Sequence, residues 1–213
     1  MIRFITFEGG EGTGKSTQIR ALEEHLASRS VPFVSTREPG GTPLGKVIRR
    51  AVVEAGDRPV GSSVELFLYL ADRAQHVQDV IRPALESRKI VLCDRYTDST
   101  LAYQGYGRGI DLNVLRELNR VAAGGLKPDL TLLFDCPVEV GLSRATGRFA
   151  QQDGGARRED RFESENVEFH ERVRAGFLAL ARAEPERFRL IDASRSIAEV
   201  TQDVKSLIDR ELV

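Results

Sequence analysis

Residues 9–16 read Gly-Gly-Glu-Gly-Thr-Gly-Lys-Ser, which is the G-x-x-x-x-G-K-[ST] spacing of a phosphate-cradling loop. Gly9, Gly10, Gly12 and Gly14 let the backbone curl until successive N–H groups converge on one anion. Lys15, read as a solvated side chain, would reach the β- and γ-phosphates of ATP. The Ser16 hydroxyl would ligate Mg²⁺, and Glu11, Thr13 and Thr17 would complete the polar lining. The flanks meet the motif's requirement. A β-type run, residues 2–7, precedes it, and an amphipathic stretch from Ser16 to about Ser28 follows, with its positive dipole end at the anion.

A second position narrows the chemistry. The apolar run Lys89–Cys93 ends in Asp94-Arg95, so an arginine stands where a motor ATPase would carry its water-activating carboxylate. No N-K-x-D guanine reader occurs. An arginine there suits a second, negatively charged substrate beside ATP, which points to phosphoryl transfer onto a phosphorylated small molecule. Asp94 either joins the Mg²⁺ shell or orients Arg95. Of the 31 basic residues 26 are Arg, the side chain that meets phosphate oxygens with paired donors. A net charge of −1 argues against a broad nucleic-acid-binding face.

These residues need a frame, and the pattern supplies one. Short apolar runs alternate with amphipathic stretches along all 213 residues, as in a parallel sheet flanked by helices. Strands are predicted at residues 2–7, 31–35, 89–93, 130–134 and 188–191. Helices are predicted from Ser16, from Pro43, over 64–85 with Pro83 kinking the end, over 112–122 closed by Gly124-Gly125, over 138–146, from Phe169, and from Ile197. Residues 147–163 show no apolar period and read as a mobile lid without apolar anchoring, in a single domain spanning 1–213. The longest apolar stretch, Leu66 to Ala71, is far too short to span a membrane, and Cys93 and Cys136 fit a reducing, cytoplasmic setting. His25, His76 and His170 lack metal-ligand spacing and read as structural.

Several strings together carry a resemblance. FEGGEGTGKST, TREPGGTPLG, LFLYLADRAQHV, CDRYTDSTLAYQGYGRG and DRFESE are similar to the motifs of bacterial thymidylate kinases, over residues 4 to about 193. The resemblance implies the P-loop nucleoside-monophosphate-kinase fold, a five-stranded parallel sheet in the order 2-3-1-4-5 with a lid. It implies transfer of the ATP γ-phosphoryl group to dTMP, Mg²⁺ with the ATP, and a homodimer. It further implies that Arg73, Arg95 and Arg37 hold the acceptor phosphate, that Phe67 stacks on thymine, and that Thr100 and Gln104 lie near the base. Tyr103 would disfavour a ribose 2′-OH. Glu11 would meet the acceptor's 3′-OH or the metal shell, and residues 192–194 would lie beside adenine.

Three positions depart from the family pattern: Thr100, where Ser or Asn is usual; Lys46, where an acid is common; and FAQQDGGA inserted after Arg148. Some relatives carry Arg at the fourth P-loop position, where this chain has Gly12. The lid holds Arg148, Arg157, Arg158 and Arg161, with Arg148 and Arg158 the leading choices for a transition-state cation. Two alternatives stay open on the residues alone: a kinase for another pyrimidine nucleotide or deoxynucleoside, and a non-catalytic ATP-dependent switch.

Overall fold

A computed structural model describes residues 2–53, 60–152, 162 and 165–212, the side chains of 148–152 excepted. Five parallel strands form one sheet in the order β2-β3-β1-β4-β5: β1 Phe4–Glu8, β2 Phe33–Arg37, β3 Ile90–Asp94, β4 Leu130–Asp135 and β5 Phe188–Asp192. The order is the expected one. Buried on both faces, β1, β3 and β4 are the near-continuous apolar runs that a central parallel strand requires.

One face packs on α1 (Lys15–Ser28) and, near the C-terminus, α9 (Ile197–Glu211), through Ile5, Phe7, Leu92 and Phe134. The other face carries α2 (Pro43–Val52), α3 (Ser62–His76), α4 (Arg82–Glu86), α5 (Thr97–Thr100), α6 (Leu112–Ala122) and α8 (Val167–Ala183), with Leu66, Leu133, Phe169 and Phe177 among its buried residues. The 64–85 stretch is interrupted at Val77–Ile81 by a wide π-helical turn. Pro83 has no N–H for the carbonyl of Asp79 and its ring crowds that carbonyl, so the turn opens ahead of it. A second π-helical turn, Leu101–Gly107, follows α5. No helix was expected there, because Gly105 and Gly107 mask the apolar period.

α7 runs Val138–Gln152, six residues beyond the expected end at 146, so residues 147–152 are helical rather than part of a loop. Residues 153–161 lie outside the described residues, and Phe162, at the far end of the expected lid, is buried against Tyr103 and Phe169. The expectation of no apolar anchoring is therefore corrected at Phe162. A hydrophobic ring in a polar string buries itself where an aromatic cluster accepts it.

α7 also touches the phosphate loop. A Cβ on Gly12, which has φ +65°, would lie 1.8 Å from the Gly141 carbonyl oxygen, and one on Gly141 would lie 2.4 Å from that of Glu11. Neither backbone can retreat without moving the loop. Gly141→Ala is expected to cost roughly 1–3 kcal/mol, with a Tm loss of about 2–4 °C per kcal/mol. Gly147→Ala, in the same helix with nothing within 4 Å, is expected to gain roughly 0.4–1 kcal/mol. Thermal unfolding followed by circular dichroism checks both; equal effects of the two would refute the close contact of Gly141 with the Glu11 carbonyl.

Candidate functional site

The phosphate loop follows β1 and Arg95 follows β3, so the two meet at the carboxyl ends of neighbouring central strands. Gly14, with φ +85°, starts α1. Lys15 is 7 % exposed rather than solvated: its Nζ donates to the carbonyls of Gly9 (3.0 Å) and Gly10 (2.7 Å) and to Thr13 Oγ1 (3.3 Å). Burial, with the charge of Arg95, pulls its pKa down to about 8. The long, flexible lysine stem at the root of a curled loop lets the ammonium fold back onto the carbonyls that the curl turns inward.

Beside the loop lies an open cleft lined by Glu11, Tyr69, Arg73, Arg95, Tyr103 and Gln104. Glu11 divides the two. Its Oε1 accepts from Arg95 Nη2 (2.8 Å) and from the Tyr103 hydroxyl (2.6 Å). Burial works against the carboxylate, but the charges of Arg95 and Lys15 and the Tyr103 hydrogen bond hold its pKa at about 2. Arg95 also donates to the Gly9 carbonyl (3.1 Å) and lies over the Tyr103 ring at 4.9 Å. With Oε1 engaged this way, Glu11 is less suited to a metal shell than Ser16 and Asp94. The Ser16 hydroxyl lies 3.4 Å from Asp94 Oδ2, and Asp94 Oδ1 is buried with no hydrogen-bond partner. That pair fits a hard cation held mostly by phosphate oxygens.

The cleft's far wall is α3. Arg73 is 2 % exposed, and its Nε and Nη1 donate to Glu38 Oε2 (2.8 Å), Thr100 Oγ1 (3.0 Å) and Asn119 Oδ1 (2.5 Å). Glu38 also meets His76 Nδ1 at 2.9 Å, while His76 Nε2 meets Thr36 Oγ1 at 2.6 Å. Thr100, Tyr103 and Gln104 all line the cleft, and Gln104 is oriented by donation to Glu65 Oε1 (2.8 Å).

Two sequence expectations fail here. Phe67 is 61 % exposed and does not line the cleft; Tyr69 does. Tyr69 stands four residues before Arg73 and shares its helix face, whereas Phe67, six before it, turns to the opposite side. That spacing was readable in the sequence. Arg37 ends β2 in register with Asp94 and is exposed outside the cleft, while Arg49 of α2 lines it. The turn after β2 carries Arg37 past the opening, and α2 returns Arg49 to it. Arg148 has no described side chain, and Arg157, Arg158 and Arg161 lie outside the described residues. Arg144 of α7 donates to the carbonyls of Ala193 (2.6 Å) and Ser194 (3.2 Å), tying the 192–194 turn to the loop side of the site. His25 and His76 are held by Asp209 and Glu38, as structural histidines are. His170 is 5 % exposed beside Glu11 and the Phe162 backbone, and burial keeps its pKa low.

Comparison with known proteins bears on this arrangement. The family model described as thymidylate kinase matches residues 7–204. The thymidylate kinase of Desulfovibrio desulfuricans is 55 % identical over 209 residues, covering 98 % of this chain and 96 % of that protein. That of Solidesulfovibrio magneticus is 52 % identical over 209 residues, covering 98 % and 100 %. That of Geotalea uraniireducens is 51 % identical over 205 residues, covering 96 % and 95 %.

Asp72 yields a pH prediction. It is fully buried; Oδ1 accepts from the Gly40 N–H (3.1 Å), Oδ2 has no partner, and burial with the charge of Glu38 raises its pKa from 3.8 to about 6. The fold thus binds this proton more tightly than the unfolded chain does. Stability is lost as pH rises from about 4 through 6, by on the order of 3 kcal/mol. Asp72→Asn, which keeps an acceptor for Gly40, is expected to raise Tm at pH 8, with the gain vanishing near pH 4. A gain that is independent of pH would contradict the assignment.

Proposed function

This chain belongs to the thymidylate kinase family and transfers the ATP γ-phosphoryl group to dTMP, giving dTDP; on that premise we propose how its residues divide the work. The carrying observation is Glu11, a single carboxylate on the wall between the phosphate loop and the Arg73–Arg95 cleft. Two anion sites with one shared wall serve a direct transfer between two phosphates, and a simple ATP-dependent switch has no use for the second.

Residues 9–17 hold the ATP phosphates, with Lys15 leaving the carbonyls of Gly9 and Gly10 for phosphate oxygens. Arg95 and Arg73 hold the dTMP phosphate; Arg73 Nη2 makes no hydrogen bond among the described residues and belongs to a side chain lining the cleft. Tyr69 stacks on the base, and Thr100 and Gln104 lie beside it. Tyr103, fixed by Glu11, crowds the sugar's 2′ position. The 192–194 turn flanks adenine. The acceptor oxygen belongs to a phosphate monoester with a second pKa near ~6, so it is already mostly dianionic and needs no protein base. Catalysis is then positioning and charge neutralisation. Mg²⁺, when bound with ATP, neutralises phosphate charge, and Ser16 and Asp94 are the residues that would hold it.

Gly12 supplies no cation, so we assign the missing one to Arg148, Arg157, Arg158 or Arg161. Changing each to Ala is expected to lower kcat at one or more of them by about tenfold or more, with dTMP affinity little changed. Four variants all within about twofold of wild type would send the search elsewhere.

The assembly is a homodimer. What supports this is an exposed stripe on α3, Val64, Phe67, Ala71 and Ala74, with Val114 and Val121 exposed on the neighbouring α6. Among the described residues no helix is long and apolar enough to cross a membrane. The two buried free thiols suit a reducing, cytoplasmic setting, and the partners are small anions rather than nucleic acid.

ADP release measured against dTMP, dUMP, UMP and CMP tests the substrate; equal turnover of all four would refute dTMP specificity. Tyr69→Ala is expected to raise the dTMP KM by about tenfold, while Phe67→Glu leaves the site's lining intact and shifts sedimentation toward monomer. The reverse pattern would restore Phe67 to the base.

A further inference from the structure

The cleft depends on the direction of one guanidinium, and Arg95 holds an unusual backbone to give it. Its φ is +68°, the left-handed region, in a residue with a long side chain. Such a conformation costs roughly 1–2 kcal/mol and persists only where the surroundings impose it. Here the surroundings are two consecutive residues of β1. The Arg95 N–H donates to the Phe7 carbonyl (3.0 Å), and the next N–H, of Tyr96, donates to Glu8 Oε1 (2.8 Å). The other carboxylate oxygen, Oε2, accepts from Ser99 Oγ (2.5 Å), and that hydroxyl lies 3.3 Å from Arg95 Nη1. One carboxylate therefore grips both the backbone just after the strained residue and, through Ser99, the guanidinium itself.

The Glu8 side chain is fully buried and, among the described residues, makes no hydrogen bond outside this turn. Burial and the neighbouring carboxylate of Asp98 both oppose its ionisation, and Asp98 is itself paired with Arg187. A buried acid in a β-strand is a poor way to add stability, since an apolar residue of similar size avoids the desolvation cost. What an apolar residue lacks is the pair of acceptors that this turn uses.

We propose that Glu8 is the positioning residue for Arg95, setting the guanidinium toward the acceptor phosphate and thereby setting dTMP affinity. The inference rests on the reading of Arg95 as a dTMP-phosphate ligand. Glu8 touches no substrate in this account; it acts through Arg95.

Three substitutions separate reach from charge, with dTMP and ATP binding titrated by calorimetry and kcat and both KM values measured. Glu8→Ala removes both grips and is expected to weaken dTMP about tenfold, with ATP affinity within about twofold. Glu8→Asp keeps the carboxyl group but is one methylene too short for both bonds, and should weaken dTMP by about threefold or more. Glu8→Gln keeps the length and still offers Oε1 to the Tyr96 N–H, while its amide donates to Ser99 Oγ. It should hold dTMP affinity within about threefold of wild type. Glutamine as damaging as alanine would make charge, not position, the active property and overturn the proposal, as would Ala and Asp variants with unchanged dTMP affinity. If Glu8→Ala fails to fold, the Asp and Gln pair carries the same contrast. Arg95→Ala run alongside keeps the two readings apart. If it leaves dTMP binding unchanged, the acceptor assignment itself falls; if it weakens dTMP while Glu8→Ala and Glu8→Asp do not, only the role of Glu8 falls.

Discussion

The Glu11–Arg95 ion pair is the contact on which the rest of the site depends. A phosphoryl-transfer site must gather cations where two polyanions will meet, and before they arrive those cations repel one another. Lys15 and Arg95 both donate to the Gly9 carbonyl, and the charge of Arg95 helps to pull the Lys15 pKa down. Glu11 lies within the electrostatic reach of both and remains ionised although buried. It thereby lets two cations occupy a low-dielectric pocket together, which an apolar wall would not permit. Tyr103 closes the same carboxylate from the acceptor side, so loop geometry and cleft geometry are fixed by one group.

A second network serves the opposite wall. Arg73 is held by a carboxylate, a hydroxyl and an amide, each from a different element: Glu38 after β2, Thr100 in α5 and Asn119 in α6. A guanidinium so tethered loses little further freedom when a phosphate arrives, which is where preorganisation contributes to binding. His76 completes the arrangement by bridging Glu38 to Thr36, and Gly41 is glycine because a Cβ would meet the His76 ring at 2.5 Å. The turn rich in Gly and Pro after β2 is thus shaped by side chains of α3. Its sequence signature, PGG, records where another element approaches rather than where the chain is loose.

What the sequence made legible follows from the range of the interactions. Strand positions, the 2-3-1-4-5 order and the residues of the phosphate loop were readable because periodicity and motif spacing are local, or came with the family resemblance. Arg73, Arg95, Thr100, Tyr103 and Gln104 came from that resemblance, and the structure gathers them at one cleft. Phe67 failed because a strong aromatic in an apolar run was matched without checking which helix face Arg73 occupies. Arg49 and Glu8 were missed for a different reason. One reaches the cleft only through the turn between β2 and α2, and the other acts from inside a strand that reads as ordinary core. Hydrophobic pattern has no term for a buried acid that bonds to a residue 88 positions away. The end of α7 was misjudged because Gly147 and a polar run suggested a break, whereas the helix continues to Gln152.

The contacts of α7 and of Phe162 bear on the two sides of the site. Gly141 of α7 lies against Glu11 and Gly12, and Phe162 is packed on Tyr103 within the cleft wall. α7 is therefore registered to the ATP side and Phe162 to the acceptor side. Both registrations converge on Glu11, whose carbonyl meets Gly141 and whose carboxylate meets Tyr103. A glycine at position 12 follows from the same packing. Any side chain there would have to pass through the Gly141 backbone, so in this chain a cation for the transferring phosphoryl cannot come from the fourth position of the loop without displacing α7. The close helix contact and the lack of a side-chain cation at the fourth loop position are in that sense one choice, made at Gly12.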